Sequence, residues 1–339
     1  MYCEWLRPRL LPFLAAAFLF VFSLTAGGCA NRPAVATPAA TSYTGSATTS
    51  VPTPEPTSHA SGAGTAAGPY RPNTNGQIMV IVYHNIGPQE GRWERTPAGF
   101  RSDLQALYDR GYRPVNLGDL VAGQIDVPKG YSPVVITFDD GTAGQFRFIT
   151  GPDGKTQIDP HSAMGVMLAF HRDHPDWPLR ATFFVNGDPF QQPGWQQKLQ
   201  FIVENGMEIG NHTFNHVYLN KVSASETVYQ VGKEQALIDA AVPGYNATTL
   251  ALPFGAYPAY PDAVRDGTYN GVHYHIKAMV LVGAGPMPSP FSPKFDPERI
   301  PRIQAADPSL GIKYTLPFWI DYFDRHPEAR FVSDGTSGH

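Results

Sequence analysis

Cysteine is almost missing: the 339 residues contain two, Cys3 and Cys29, both at the amino-terminal end. The rest of the chain has no thiol nucleophile, no disulfide and no thiolate ligand. Any metal it binds must be held by histidine and carboxylate. Basic charge is also sparse, since 25 Lys and Arg against 29 Asp and Glu leave a net charge of -4 without a long basic run. That excludes an electrostatic grip on a phosphate backbone, so nucleic acid is not expected as a partner. Large apolar side chains are scarce from Ala30 to about Asn75, a stretch dominated by Ala, Thr, Ser, Pro and Gly. Such a composition cannot offset ordering entropy and reads as a disordered linker over residues 30–75, spanning roughly 35 to 40 Å as a flexible coil. No internal repeat is present.

At the amino terminus, Arg7 and Arg9 precede an apolar run from Leu10 to Leu24, followed by small residues before Cys29. The run is short for a membrane span of ~20 residues and has the layout of an export signal. Leu24-Thr25-Ala26-Gly27-Gly28-Cys29 resembles a bacterial lipoprotein box, with Ala26 where Leu is usual, and this resemblance implies lipidation at Cys29. The expectation is an exported chain, tethered by lipid to the outer face of the cytoplasmic membrane; the alternatives are an uncleaved anchor or free secretion. The expected divisions are a signal segment over 1–29, the linker over 30–75, a catalytic domain over 76–325 and a flexible tail over 326–339, with a monomer as the expected state.

From Gln77 to Tyr83 the residues QIMVIVY form the near-continuous apolar run of a strand buried on both faces. Thr96 and Pro97 open a helix with Phe100, Leu104 and Leu107 at helical spacing, and Gly111 ends it. Further strands are expected at Pro133–Phe138, Ala181–Val185, Met207–Ile209, Thr248–Leu252 and Ala278–Val282. Helices are expected at Ala163–Arg172, Trp195–Asn205, Ser223–Ala241 and Tyr314–Arg325, and a surface hairpin or loop at Gly151–Pro160. Alternating strand and helix points to an α/β fold, either a parallel barrel or a doubly wound sheet.

Two motifs follow strands. Thr137-Phe138-Asp139-Asp140-Gly141 places adjacent carboxylates at a strand's carboxyl end, where barrel active sites form; alone, it could equally be a capped turn with two solvated acids. Gly210-Asn211-His212-Thr213-Phe214-Asn215-His216 follows the strand at Met207. Histidines four apart share one face of a helical turn and, with one carboxylate, make an open three-ligand metal site.

TFDDG followed by HTxxH resembles the polysaccharide deacetylases with a NodB homology domain, carbohydrate esterase family four, from about Gln77 to Arg302. The resemblance implies a distorted (β/α) barrel, here preceded by a disordered stalk. It implies Asp140, His212 and His216 as ligands of one divalent ion, zinc first and cobalt, nickel or manganese as alternatives, with Asp139 as catalytic base. It also implies Pro253-Phe254-Gly255 at the oxyanion, with the Phe254 N–H as donor. The arginine that opens this third motif in the family is Ala251 here. Arg302 is a possible substitute cation, although a surface arginine is its plainer reading.

No Leu-x-His segment follows the third motif in the usual context. Instead Val82-Tyr83-His84-Asn85-Ile86 resembles the YHxI segment of the circularly permuted poly-N-acetylglucosamine deacetylase branch, which implies His84 as the acid. His273 and His275, in YNGVHYHIK, are the competing acids. Tyr83, Phe214 and Tyr218 offer flat faces to sugar rings, with packing as their plainer use. The implied reaction frees acetate and an amine from an N-acetylated polysaccharide; a glycan-binding lipoprotein without turnover and a metal-dependent O-acetyl esterase are the alternatives.

Overall fold

The computed structural model describes residues 68–336, with the side chain of residue 284 excepted. The expected signal segment, Cys29 and most of the expected linker lie outside the described residues. Eight strands form the main sheet: β1 (Met79–Tyr83), β2 (Tyr112–Pro114), β3 (Ser132–Phe138), β4 (Thr182–Val185), β5 (Glu208–Asn211), β6 (Thr249–Ala251), β7 (Ala278–Ala284) and β8 (Ile300–Gln304). All neighbours are parallel in the order β1-β8-β7-β6-β5-β4-β3, and β1 also pairs with β3. Seven strands thus close a barrel, the distorted (β/α) type expected. The strand β2 stands outside the ring and pairs with the start of β3, whose far end pairs with β4.

Two of these strands, β2 and β8, are absent from the sequence expectation. β8 reads Ile300-Pro301-Arg302-Ile303-Gln304, with a proline and an arginine where an apolar run would mark a strand. It forms because its neighbours complete it: Ile81 and Val82 pair with Ile303 and Gln304 on one side, and β7 lies on the other.

Helices cover the barrel. Among them α1 (Pro97–Asp109) is capped by the Thr96 hydroxyl, which accepts from the Gly99 N–H, and Gly111 follows in the left-handed region at φ 70°. The longest described helix, α2 (Ala224–Ala241), is capped by Ser223 and packs on β5. The expected helices at 163, 195, 223 and 314 appear as Ala163–Asp173, Trp195–Glu204, Ala224–Ala241 and Leu316–Arg325. The turn-rich stretch after Phe148 is a hairpin, Phe148–Thr150 paired with Thr156–Ile158. A second hairpin, Asp266–Tyr269 with Val272–His275, reverses at Asn270 and Gly271, both at positive φ, as a two-residue Asn-Gly turn requires.

Side chains alternate across each barrel strand. Met79, Ile81 and Tyr83 of β1, Val134, Ile136 and Phe138 of β3, and Ile303 of β8 join the layer under the helices. Val80, Val135, Phe184, Ala251, Val280 and Ile300 fill the barrel interior. That phase carries His84, Asp139 and Arg302 inward: each continues the interior series of its strand by two-residue steps.

Ordered structure extends past both expected limits of the catalytic domain. Asn73 N–H donates to the Val332 carbonyl at 2.8 Å, and Phe331 N–H to the Gln77 carbonyl at 2.9 Å. Phe331 and Val332 are buried, and Arg330 is buried with its guanidinium over Tyr112. Residues 326–333, expected as flexible tail, are therefore fixed by backbone pairing and apolar burial.

Candidate functional site

One pocket at the carboxyl ends of the barrel strands is lined by His84, Trp93, Asp139, Asp140, His212, His216, Phe254 and Val282. Its groups are positioned by strand ends and the turns that follow. Asp139 extends the inward series of β3, and its N–H donates to the Tyr83 carbonyl at 2.9 Å, so His84 and Asp139 leave neighbouring strands side by side. Strict alternation would send Asp140 to the opposite face. Its φ of 73° reverses the chain and returns its carboxylate to the pocket.

Asp140 Oδ1 lies 3.2 Å from His212 Nε2 and 3.4 Å from His216 Nε2. Among the described residues, these three form the group whose ligand atoms lie within 4.8 Å of one another. His212 is buried, and its Nδ1 is 2.8 Å from the Ala251 carbonyl. A carbonyl only accepts, so Nδ1 carries a proton, and Nε2 is the nitrogen that faces Asp140 and would be offered to an ion. The donor set, the convergence and this fixed ring fit a divalent ion of the zinc class. The residue where the family arginine was expected, Ala251, serves through its backbone.

The histidine pair does not sit on a helical turn as expected. Residues 212–216 form an irregular turn with Thr213 at φ 62° and His216 at φ 50°. Side chains buried beneath dictate that path. The Thr213 N–H donates to Asn211 Oδ1 at 2.9 Å, while Asn211 Nδ2 donates to the Val231 carbonyl at 2.9 Å. The Asn215 N–H donates to Gln230 Oε1 at 2.7 Å. The rings still meet, with centroids 4.8 Å apart. Gly210 is required just before them, because a Cβ there would lie 2.3 Å from the Phe184 ring.

Asp139 and Arg302 are both 0% exposed and form a two-pronged ion pair, Nη1 to Oδ1 at 2.7 Å and Nη2 to Oδ2 at 2.6 Å. Arg302 is further tied to Thr137 Oγ1 at 3.0 Å and to the Leu281 carbonyl at 2.6 Å. The surface-arginine reading is overturned, because β8 points this side chain into the barrel. Burial by itself raises the Asp139 carboxyl, but the Arg302 charge and its hydrogen bonds outweigh that and hold it well below the usual carboxylate range.

His84 stacks obliquely on the exposed Trp93, ring centroids 4.5 Å apart. Burial lowers its pKa, with Asp139 and Asp140 opposing. Gln145, absent from the sequence expectation, is wholly buried, and its Nε2 spans the Asp139 carbonyl at 2.5 Å and the His84 carbonyl at 2.6 Å. It links the two strand ends; being an ordinary amide six residues past Asp139, it carries no local signal.

Phe254 sits at φ 61° with its ring exposed, and Gly255 follows at φ 67°. Its ring lies 4.5 Å from His216 and stacks on Tyr218 at 3.8 Å and 8°. Pro253 is buried under this turn. Tyr83, in contrast, is buried among Phe100 and Phe138 and donates to Asp103, so it offers no face to a sugar. Phe214 packs beside Tyr229 with Lys233 over its ring. His273 and His275 are not among the pocket residues; they lie on the second hairpin beside Asp266.

Fold and pocket together define a NodB-type barrel with a clustered Asp-His-His triad. Residues 176–272 match the family model of polysaccharide deacetylase. The peptidoglycan-N-acetylglucosamine deacetylase PgdA of Listeria monocytogenes is 31% identical over 185 residues, 54% of this chain and 33% of that protein. The chain thus spans about a third of the length of this relative. In structure, the deacetylase PplD of Streptococcus pyogenes, solved with acetate, matches 73% of this chain and 98% of its own at TM-score 0.54 and 16% identity. IcaB of Ammonifex degensii matches 73% and 97% at TM-score 0.52 and 19% identity. Residues 176–272 are thus similar to the polysaccharide deacetylases, and the barrel shares its fold with solved deacetylases.

Proposed function

We propose that this chain is a metal-dependent N-deacetylase of an amino-sugar polysaccharide in the cell wall or exopolysaccharide. The observation that carries the reading is the convergence of Asp140, His212 and His216 beside an Asp139 clamped by Arg302 in the pocket that His84 lines. Asp140, His212 and His216 would hold one divalent ion, zinc above cobalt, nickel or manganese. Such an ion supplies a polarised acetamide carbonyl and an acidified water.

The protein's own groups divide the remaining work. Arg302 keeps Asp139 ionised and its two oxygens fixed, so Asp139 meets the attacking water as a proton acceptor. The backbone N–H of Phe254, in the Pro253-Phe254-Gly255 turn, donates to the oxygen on which negative charge develops. His84 protonates the leaving nitrogen, and acetate and a free amine depart. Trp93 and the Tyr218–Phe254 stack flank the pocket as exposed apolar faces suited to sugar rings.

Export and lipidation at Cys29 belong to this proposal. PgdA is by name a peptidoglycan deacetylase, and an exported, tethered chain would meet a substrate of that class. No helix among the described residues is long and apolar enough to cross a membrane. Detergent-phase partitioning of the full chain should disappear in Cys29→Ser; equal partitioning would refute the lipid anchor.

Acetate release from N-acetylated and O-acetylated glycans, with and without chelator, tests the activity. Release from the N-acetylated glycan alone, lost to chelator and restored by zinc or cobalt, is the expected result. Release from the O-acetylated glycan alone would make the protein an esterase, and none from either would make it a binding protein.

A further inference from the structure

The strands β1 and β3 form a parallel ladder in which Tyr83 stands beside Phe138. Its last rung is the Asp139 N–H donating to the Tyr83 carbonyl at 2.9 Å. In a parallel ladder that continued, the next rung would run from the Asn85 N–H to the Asp139 carbonyl. Here the Asn85 N–H donates instead to the Trp93 carbonyl at 3.0 Å, and the strands part. They part at His84 and Asp139, the acid and the base of the proposed reaction. Gln145 takes the place of the lost rung. Its Nε2 donates to the Asp139 carbonyl at 2.5 Å and to the His84 carbonyl at 2.6 Å. Both acceptors are carbonyls, so the amide nitrogen must face them, and both of its hydrogens are used. Its Oε1 is buried without a hydrogen-bond partner. A side chain kept only for packing would not carry that cost, which an apolar residue of the same length avoids.

The backbone that carries Gln145 is itself fixed. Its N–H donates to the Thr142 carbonyl at 3.0 Å, and its carbonyl accepts from the Met164 N–H at 2.9 Å, at the start of the helix Ala163–Asp173. Phe146 beside it is wholly buried. The Thr142 hydroxyl donates to Asn85 Oδ1 at 3.0 Å, and a Cβ on Gly144 would lie 2.1 Å from the Ile86 carbonyl. The loop 141–145 therefore lies directly against the chain that leaves His84. We propose that Gln145 is a positioning residue: its side-chain amide sets the separation of His84 and Asp139, so that acid and base address one acetamide from fixed places. This role rests on the deacetylase reading. Both donor hydrogens of the amide go to His84 and Asp139 and none to Asp140, His212 or His216, so ion affinity should not depend on it.

The test measures kcat, KM, zinc affinity and Tm of the full chain, with acetate release from an N-acetylglucosamine oligomer as the assay. Gln145→Met keeps the length and removes the donors; Gln145→Glu keeps the shape and offers at most one donor hydrogen. Both should lower kcat by roughly 10- to 10²-fold, the scale of a small misplacement of reacting groups, and leave KM and zinc affinity near wild type. Phe146→Leu, on the same loop, should lower Tm and leave kcat near wild type. In a His84→Ala background, Gln145→Met should lower kcat by a smaller factor than in the wild type, because the placement of an absent acid cannot be lost; a purely structural loss gives equal factors. Should Gln145→Met fail to fold, Gln145→Glu carries the same comparison. A folded Gln145 variant with wild-type kcat, a change confined to KM or zinc affinity, or equal factors in the two backgrounds overturns the positioning role alone. A wild type that releases no acetate overturns the deacetylase reading and this role with it.

Discussion

Among the described residues one aspartate stands beside two histidines both in the pocket and on the second hairpin, and the two places differ in setting far more than in composition. In the pocket, His212 is 1% exposed and pinned through Nδ1 to the Ala251 carbonyl. Asp140 and His216 are turned inward by positive-φ backbone, and a buried ion pair lies alongside. On the hairpin, Asp266, His273 and His275 have similar carboxylate-to-imidazole distances, yet all three are more than half exposed on a two-stranded ribbon. A donor set can recur by chance wherever strands bring the residues together. Catalytic capacity requires that the donors be ordered before the ion arrives and that acid, base and oxyanion donor surround them.

The strongest way to break this comparison is to exchange the consequences of losing each pair. Removing His212 and His216 together should abolish high-affinity metal binding and bring acetate release to background, whereas removing His273 and His275 should leave turnover intact. Metal content by mass spectrometry and an acetate assay read both. Loss of turnover only in the hairpin variant would reverse the assignment.

His84→Ala should retain the tight ion and lose roughly 10²–10⁴-fold in rate, the usual share of a general acid. Near-wild-type turnover with intact metal would return the acid role to a later histidine.

Arg302→Met sharpens the contrast in burial, for it leaves the Asp139 carboxylate buried and unpaired. Urea unfolding at pH 7 should show a loss of about 3–5 kcal/mol. In the wild type, the depressed Asp139 pKa contributes stability above the ordinary carboxylate range and loses it only at more acid pH. In the variant, burial without Arg302 raises that pKa, so protonation favours the folded state and the stability gap should narrow from pH 7 toward pH 4. A gap constant over that range would mean Asp139 is not the group responsible.

Tyr218→Ala removes a stacked partner of Phe254 and should cost about 0.5–1.5 kcal/mol, read by thermal denaturation, with Tyr218→Phe close to wild type. The smallest effect belongs to the hairpin: Asp266→Asn should change metal-free stability by about 0.5 kcal/mol or less, because its ion pairs are exposed.

Much of the barrel and of the candidate metal site is legible along the chain. The run QIMVIVY and the alternation of apolar strands with amphipathic helices point to the barrel, and TFDDG and HTxxH sit after strands as a site demands. Other features are hidden for physical reasons. The strand β8 has no apolar signature, so Arg302 reads as a surface residue until Ile303 and Gln304 pair with β1. A helical turn for His212 and His216 follows from spacing alone, yet backbone N–H groups donating to the Asn211 and Gln230 side chains impose an irregular path.

Local pattern by itself determined the strands with continuous apolar runs, the helix start at Thr96 and Pro97 and the two motifs that carry the candidate donors, because each is set by residues near one another along the chain. Tertiary structure alone decided which cation clamps Asp139, what fixes the His212 ring, how Gln145 joins two strand ends and which histidine pair enters the pocket. Those contacts join residues 39 and 163 positions apart in two cases, His212 to Ala251 and Arg302 to Asp139, and only barrel closure brings such groups within hydrogen-bond reach.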